Sequence, residues 1–554
     1  MITGLSLLLP IVDDAEACGG LFIHENSNQP VNQVAENILF ALEPDTGLQM
    51  HVSLHYEGPP EEFSWLLPVP RGTTFGLSRT ELFRALDQNY QPTFNLQTTK
   101  PQSCQTRELS QSYSPPSMPD FGNDSGGVQV SSHAQVGPYE QVTLRGEASA
   151  EIIAWLQENG YQVPNDVEEV LNPYLEDYEF IAIKLLEGRE SGEIQPLGLH
   201  IPTETLSLPL RIASVAARPD MGLIIHFLGS SRAVPTNYQH VDLNYAALDW
   251  FNPSTHYTQL VSHAVDEASE GRAFVTEFAG PHFLSYEQVA PVLSTSIILA
   301  MEEVRDAQAL YQVMTRMLTD QPQVDLNQVL LSVLPFEREV TLTLIDYASN
   351  SRPISDVQVS ALLQDDEGQW LDVDGQATAE ALSHYNQAGQ LIQRAFSNHH
   401  YLTRLYTTLN PSEMTVDPTF DFNPDLGNQD RVRQADLFLT CFGGHDYIAT
   451  PDGLKIDLDD QSHMNYLQRQ EGETVQGSEV IGAALITQHT SSGQPEILQD
   501  RREELAEFYV LPKVDEGFGC QQRRAPHPVA LIFIYFGFLF LRPFYGRRDV
   551  SDVT

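Results

Sequence analysis

The stretch from Gly519 to Arg548 constrains this chain most. Cys520, Arg523 and Arg524 lead into the apolar run Pro528–Leu541, which closes on Arg542, Arg547 and Arg548. That run alone is shorter than the ~20 residues needed to span a bilayer. Taken as 526–545, with Arg542 reaching back toward the headgroups, it attains spanning length. Basic residues flank both ends and no folded domain follows, which favours a single C-terminal transmembrane helix over a buried core helix. Arg547 and Arg548 predict a short cytoplasmic C-terminus, with the body of the chain outside the cytoplasm.

The other end agrees. Leu5–Val12 is a short apolar run and Ala15-Glu16-Ala17 has the small-x-small form of a signal peptidase site, but no basic residue precedes them. Residues 1–17 therefore predict a truncated signal peptide, with cleavage after Ala17 leaving Cys18 at the mature start. A lipoprotein signal fits less well, because an acid stands beside the site.

Asp and Glu number 75 against 30 Lys and Arg, a net charge of −45, and the only lysines are Lys100, Lys184, Lys455 and Lys513. So acidic a surface repels nucleic-acid phosphates, so no nucleic-acid partner is expected. Solubility or salt adaptation is the plain reading of the charge, and cation binding the sharper one. Cys18, Cys104, Cys441 and Cys520 contain no C-x-x-C, which excludes a zinc ribbon or thioredoxin-type motif. In an oxidising compartment the first three supply one disulfide and a spare, with the pairing open, or three unlinked thiols.

Between the ends the pattern predicts a multi-domain α+β chain, with mixed and antiparallel sheets and packed helices. Its expected regions are 18–109, a linker or long loop at 110–127 rich in Ser, Pro and Gly, 128–335, and a β-containing region at 336–510. Ile38–Leu42 and Leu48–Tyr56, separated by Glu43-Pro44-Asp45-Thr46-Gly47, predict a hairpin. Ser78 with Glu81 reads as a capping box for a helix, and Asn165 with Glu168 as the cap of a second. Strands are predicted at 140–147, 178–186, 197–201, 206–216, 223–228 and 273–278, and helices after Asn252-Pro253 and around 297–318. VTLTLIDY and VQVSALL, within 339–363, read as a hairpin or a small inserted β element. Leu437–Cys441 and Tyr447–Ile456 read as closing strands, and 496–508 has helical tendency.

The Ala-Cys-Gly-Gly start at Ala17, Pro30–Glu36, the Tyr56-x-Gly58 segment leading to Phe63-Ser64-Trp65 and Pro68-Val69-Pro70, the Trp155–Tyr161 block, Ala273–Gly280 and Tyr401–Pro418 resemble a family of exported bacterial proteins known only as a domain of unknown function. The resemblance spans about residues 17–425 and departs at Leu21–Ile23, where the family pattern has a second early cysteine. It implies export and supplies no catalytic residues. The order of Cys520, apolar segment and arginines also resembles the MYXO-CTERM class of bacterial sorting tails, which implies that Cys520 is a processing or anchoring point.

No G-x-S-x-G, H-E-x-x-H, G-x-G-x-x-G or P-loop occurs, which removes the commonest hydrolase, zincin and nucleotide signatures. No residue pattern marks a catalytic group, and no cofactor is expected, with calcium as the alternative. Asp421, Asn423 and Asp425 have the 1, 3, 5 spacing of a calcium loop, but Leu426 stands where Gly is wanted and Val432 where a bidentate Glu is wanted, which favours a solvated turn. Asp457, Asp459 and Asp460 form a similar acidic cluster. His263 with Glu267 one turn later, and His399-His400, offer imidazoles, although a solvated His–Glu pair is favoured. Glu277, set among aromatics, could serve as an acid or base if buried. The favoured reading leaves it facing water or paired with Arg272, with Arg404 as a second candidate partner. The chain therefore reads as an exported, membrane-tethered cell-envelope protein acting as a binding or structural module. The alternative is an exported metal-assisted hydrolase using dispersed Asp, Glu and His residues.

Overall fold

The apolar run Ile38–Leu42 and the alternating run Leu48–Tyr56 make Asn32–Glu43 and Gly47–Glu57 an antiparallel hairpin in the computed structural model, as the sequence predicts. Gly47 takes φ of +116°, and a Cβ there would lie 2.3 Å from the Ile201 carbonyl oxygen, so the turn requires glycine. The structure describes residues 21–23, 32–43, 47–57, 63–99, 130–136, 139–146, 148–164, 167–185, 195–440, 445–460, 462–463 and 480–512. They belong to one compact unit, Met1–Pro512. The expected signal peptide, the 110–127 linker, the Asn165 cap, all four cysteines and the C-terminal tail lie outside them. Among the described residues no helix is long and apolar enough to cross a membrane.

The hairpin joins a ten-stranded mixed sheet. Its order is Glu496–Asp500, Ala483–Gln488, Gln239–Leu243, Ala273–Pro281, Tyr401–Leu409, Ala217–Gly229, Asn32–Glu43, Gly47–Glu57, Leu197–Ile201 and Thr74–Leu77. Strands from both ends of the described chain thus share one sheet. Its centre is buried on both faces, which is why Ile38–Ala41 is a continuous apolar run. Ile38 and Phe40 point into one core with Met50, Leu223, Ile225 and Phe227. Leu39 and Ala41 point into another with Leu82 and Leu86 of the helix Thr80–Tyr90 and with Ile392 and Phe396 of the helix Gly375–Asn398.

A five-stranded antiparallel sheet centred on Phe63–Pro70 and Tyr178–Leu185 packs against the helix Ser149–Glu158, which is followed by Gly160 with φ of +77°, a conformation glycine adopts readily. A four-stranded sheet combines Lys455–Asp457, Tyr447–Ala449, Val432–Phe438 and Thr93–Thr99, and a three-stranded one combines Leu206–Ser207, Thr419–Asn423 and Arg232–Pro235. With twelve α-helices among the described residues, the fold is α+β.

The region 339–363 corrects the sequence reading. It is two helices, Arg338–Ser349 and Val357–Leu363. Thr341, Leu344, Ile345 and Ala348 are buried at i, i+3, i+4 and i+7, and packing on that stripe overrides the strand propensity of the β-branched run. Asp356 starts the second helix, its side chain accepting from the Gln358 N–H at 2.8 Å. The helix expected at 297–318 is likewise two, Thr295–Glu302 and Ala307–Asp320, the second capped by Asp306. Of the strand expected at 206–216 only Leu206–Ser207 forms; a 3₁₀ turn, Arg211–Val215, follows Pro209. Glu496–Asp500 is a strand and only Arg502–Phe508 is helical.

Candidate functional site

The strand Ala273–Pro281 is buried along nearly its whole length and lies between Gln239–Leu243 and Tyr401–Leu409. Its pairing with Tyr401–Leu409 slips after Thr276, which faces Leu405, so that Phe278 faces Arg404 and Glu277 is the extra residue of a β-bulge. The bulge brings together two residues singled out in sequence. Glu277 is 2% exposed and Arg404 4% exposed, and Arg404 Nε donates to Glu277 Oε2 at 2.6 Å. Arg404 Nη1 donates to Asp87 Oδ1 at 2.7 Å and lies 3.1 Å from Nε2 of fully buried His226, which must accept, because a guanidinium only donates. Burial, and then the Arg404 charge, hold His226 neutral, with its pKa well below the ordinary value. The expectation that Glu277 faces water or Arg272 is therefore corrected: Arg272 pairs with Glu270 instead.

Thr276, the residue before Glu277, lines a cavity of about 500 Å³. Arg232 Nη2 donates to Thr276 Oγ1 at 2.9 Å, and His240 Nε2 lies 2.8 Å from the same oxygen. Arg232 Nε is enclosed and has no hydrogen-bond partner in the structure. Arg433 ties the cavity to the bulge: its Nη2 donates to the Glu277 carbonyl at 3.0 Å, its Nε to the Tyr245 hydroxyl at 2.6 Å, and its Nη1 to the Asp430 carbonyl. Arg502 completes the basic side and is held by Asp500 at 2.6 Å. Asp242, Asp430 and Asp452 supply acid on the same lining, and Val241, Val275, Leu454 and Leu505 supply apolar wall. Beside the cavity, the His240 and His489 rings meet at a tilt with centroids 4.7 Å apart, and burial pushes both pKa values down to about 3.

The other sequence candidates are placed elsewhere. His263 and Glu267 do pair, at 3.3 Å, but in the interior and not in the solvated setting favoured above. His263 is buried with Nε2 2.8 Å from the Val480 carbonyl, and Glu267 accepts from the N–H groups of Gly482 and Ala483 at 2.7 and 3.1 Å, pinning the strand Ala483–Gln488. His399 is bonded to the Leu42 carbonyl at 2.8 Å. Asn423 donates to the carbonyls of Thr490 and Gly493, its Oδ1 accepts from the Asp425 N–H, and Asp425 Oδ2 accepts from the Gly493 N–H at 2.7 Å. Those groups hold a facing turn, while Asp421 is exposed. Asp457 and Asp459 do approach each other, joined by His445, which precedes Asp457 by a whole hairpin, so that no short spacing marks the three as a group. Asp460 turns away to Ser462. Cys441 lies outside the described residues.

The family model described as an uncharacterized protein conserved in bacteria, DUF2330, matches residues 12–288, half of the chain. No curated protein and no solved structure matches it.

Proposed function

We propose, from the premise that the chain belongs to this uncharacterized bacterial DUF2330 family, that it is an exported, membrane-tethered binding module of the cell envelope. Its ligand site is the mixed-charge cavity beside the bulge. The observation that carries this reading is the charge balance of the lining. In a chain where acids outnumber bases 75 to 30, three arginines meet three aspartates around about 500 Å³ with apolar walls between them. Cavities of roughly 300–1,000 Å³ suit small ligands. An arginine fork matches a carboxylate, and an aspartate matches an amine. A ligand carrying both, such as an amino acid or a short peptide, satisfies the lining, whereas a simple anion leaves the aspartates unmatched. The metal-assisted hydrolase reading has one supporting observation, the group of His445, Asp457 and Asp459, which lies outside this lining.

The cavity reading predicts that alanyl-alanine raises the thermal unfolding temperature of the full chain while acetate and ethylamine at equal concentration do not. A shift with acetate alone, or with none of the three, contradicts it. The tether rests on the apolar segment 526–545 and the sorting-tail resemblance. A chain ending before Val514 is expected in the soluble fraction, and the full chain with membranes; equal partitioning of both contradicts the tether.

A further inference from the structure

His445, Asp457 and Asp459 close the base of the hairpin formed by Tyr447–Ala449 and Lys455–Asp457, with ligand atoms all within 4.8 Å of one another. His445 Nδ1 lies 2.8 Å from Asp457 Oδ2 and 3.7 Å from Asp459 Oδ2. Two further observations point to a cation between them. Asp457 is 1% exposed, and among the described residues no arginine or lysine is paired with it; a carboxylate removed from water needs a compensating charge. His445 Nδ1 is enclosed yet makes no hydrogen bond of acceptable geometry, although Asp457 Oδ2 is so close.

We propose that His445 Nδ1, Asp457 Oδ2 and Asp459 Oδ2 bind one divalent transition-metal ion of the zinc class. The two separations, 2.8 and 3.7 Å, fit donors each ~2.1 Å from a shared ion. One imidazole with two carboxylates suits zinc or manganese, whereas calcium takes ~6–8 oxygens. Asp457 is already positioned for the role: its Oδ1 accepts from the Asp459 N–H at 2.9 Å, and its own N–H donates to His463 Nδ1 at 3.1 Å. His463 in turn packs on Phe508 and Tyr509. The ion would tie the segment entering the hairpin to the strand leaving it. This site stands independently of the cavity reading.

The competing account is a plain His445–Asp457 ion pair that needs no metal. Calorimetric titration of the chelator-stripped full chain with zinc chloride, and separately with manganese chloride, distinguishes the two. The expected result is one saturable equivalent whose affinity falls at least ~100-fold in His445→Ala, beyond the loss typical of removing an outer-sphere partner. Asp459→Asn, at a position 55% exposed in its side chain and so tolerant of change, is expected to weaken binding and to remain folded. No saturable binding of either ion, or unchanged affinity in both variants, would overturn the proposal.

Discussion

Arg404→Met is expected to lower folding stability by about 3–5 kcal/mol, the usual effect of removing one partner from a buried ion pair. The substitution leaves Glu277, 2% exposed, with no cation against its carboxylate, and it also strips Asp87 of its 2.7 Å partner. Methionine keeps much of the side-chain length, so lost packing is a minor part of the effect. Glu277→Gln is expected to cost less, because the amide oxygen still accepts from Arg404 Nε. Urea denaturation of each variant checks the order. A loss under ~1 kcal/mol for Arg404→Met, the range of exposed pairs, would show that water reaches the bulge.

Arg79→Met is expected to be comparably damaging, about 3–5 kcal/mol. Arg79 is 1% exposed and pairs with Glu81 at 3.1 Å. It also donates to the carbonyls of Tyr385 and Pro291 at 3.2 and 2.7 Å, and its guanidinium carbon stands 3.3 Å from the centroid of the Tyr385 ring. Glu81 accepts from the Tyr385 hydroxyl at 2.5 Å and from the Asp325 N–H at 3.1 Å. This cluster fastens the helix Thr80–Tyr90 to the helical layer built on Gly375–Asn398. Gly389 belongs to the same device, since a Cβ there would lie 2.6 Å from Arg79 Nη1. Early protease cleavage within the helical layer, 295–398, should accompany the stability loss in Arg79→Met; resistance equal to the unsubstituted chain would contradict the fastening role.

The same cluster shows where sequence reading stops. Ser78 and Glu81 have the spacing of a capping box, yet the helix begins at Thr80 with no side-chain cap; Ser78 Oγ lies 2.7 Å from His51 Nδ1, and Glu81 goes to Arg79 and Tyr385. Tertiary partners 27 residues from Ser78 and 304 from Glu81 override a local rule, and nothing beside Ser78 announces them. The hairpin Asn32–Glu57 is legible because its apolar runs and its turn are both local. The helices of 338–363 were misread because VTLTLIDY satisfies the strand and helix periods together, and only the core it meets decides. Glu277 and Arg404 could be suspected as partners, but a bulge is a slip in pairing between strands more than 100 residues apart and leaves no linear trace. The cavity draws Arg232, Asp242, Arg433, Asp452 and Arg502 from separate segments, so no spacing encodes it.

Calorimetric titration of alanyl-alanine into the full chain and into Arg232→Met tests the central claim, that this cavity is the ligand site, most directly. Arg232 is suited to the test because it lines the cavity with Asp242 and its guanidinium is fixed there by the 2.9 Å bond from Nη2 to Thr276 Oγ1. The account predicts one-site binding to the unsubstituted chain and a loss of about 2–5 kcal/mol in the variant, the scale for truncating one partner of a buried charge pair, with acetate failing to bind either protein. Equal affinity for both proteins, or no binding of alanyl-alanine to the unsubstituted chain, would contradict it.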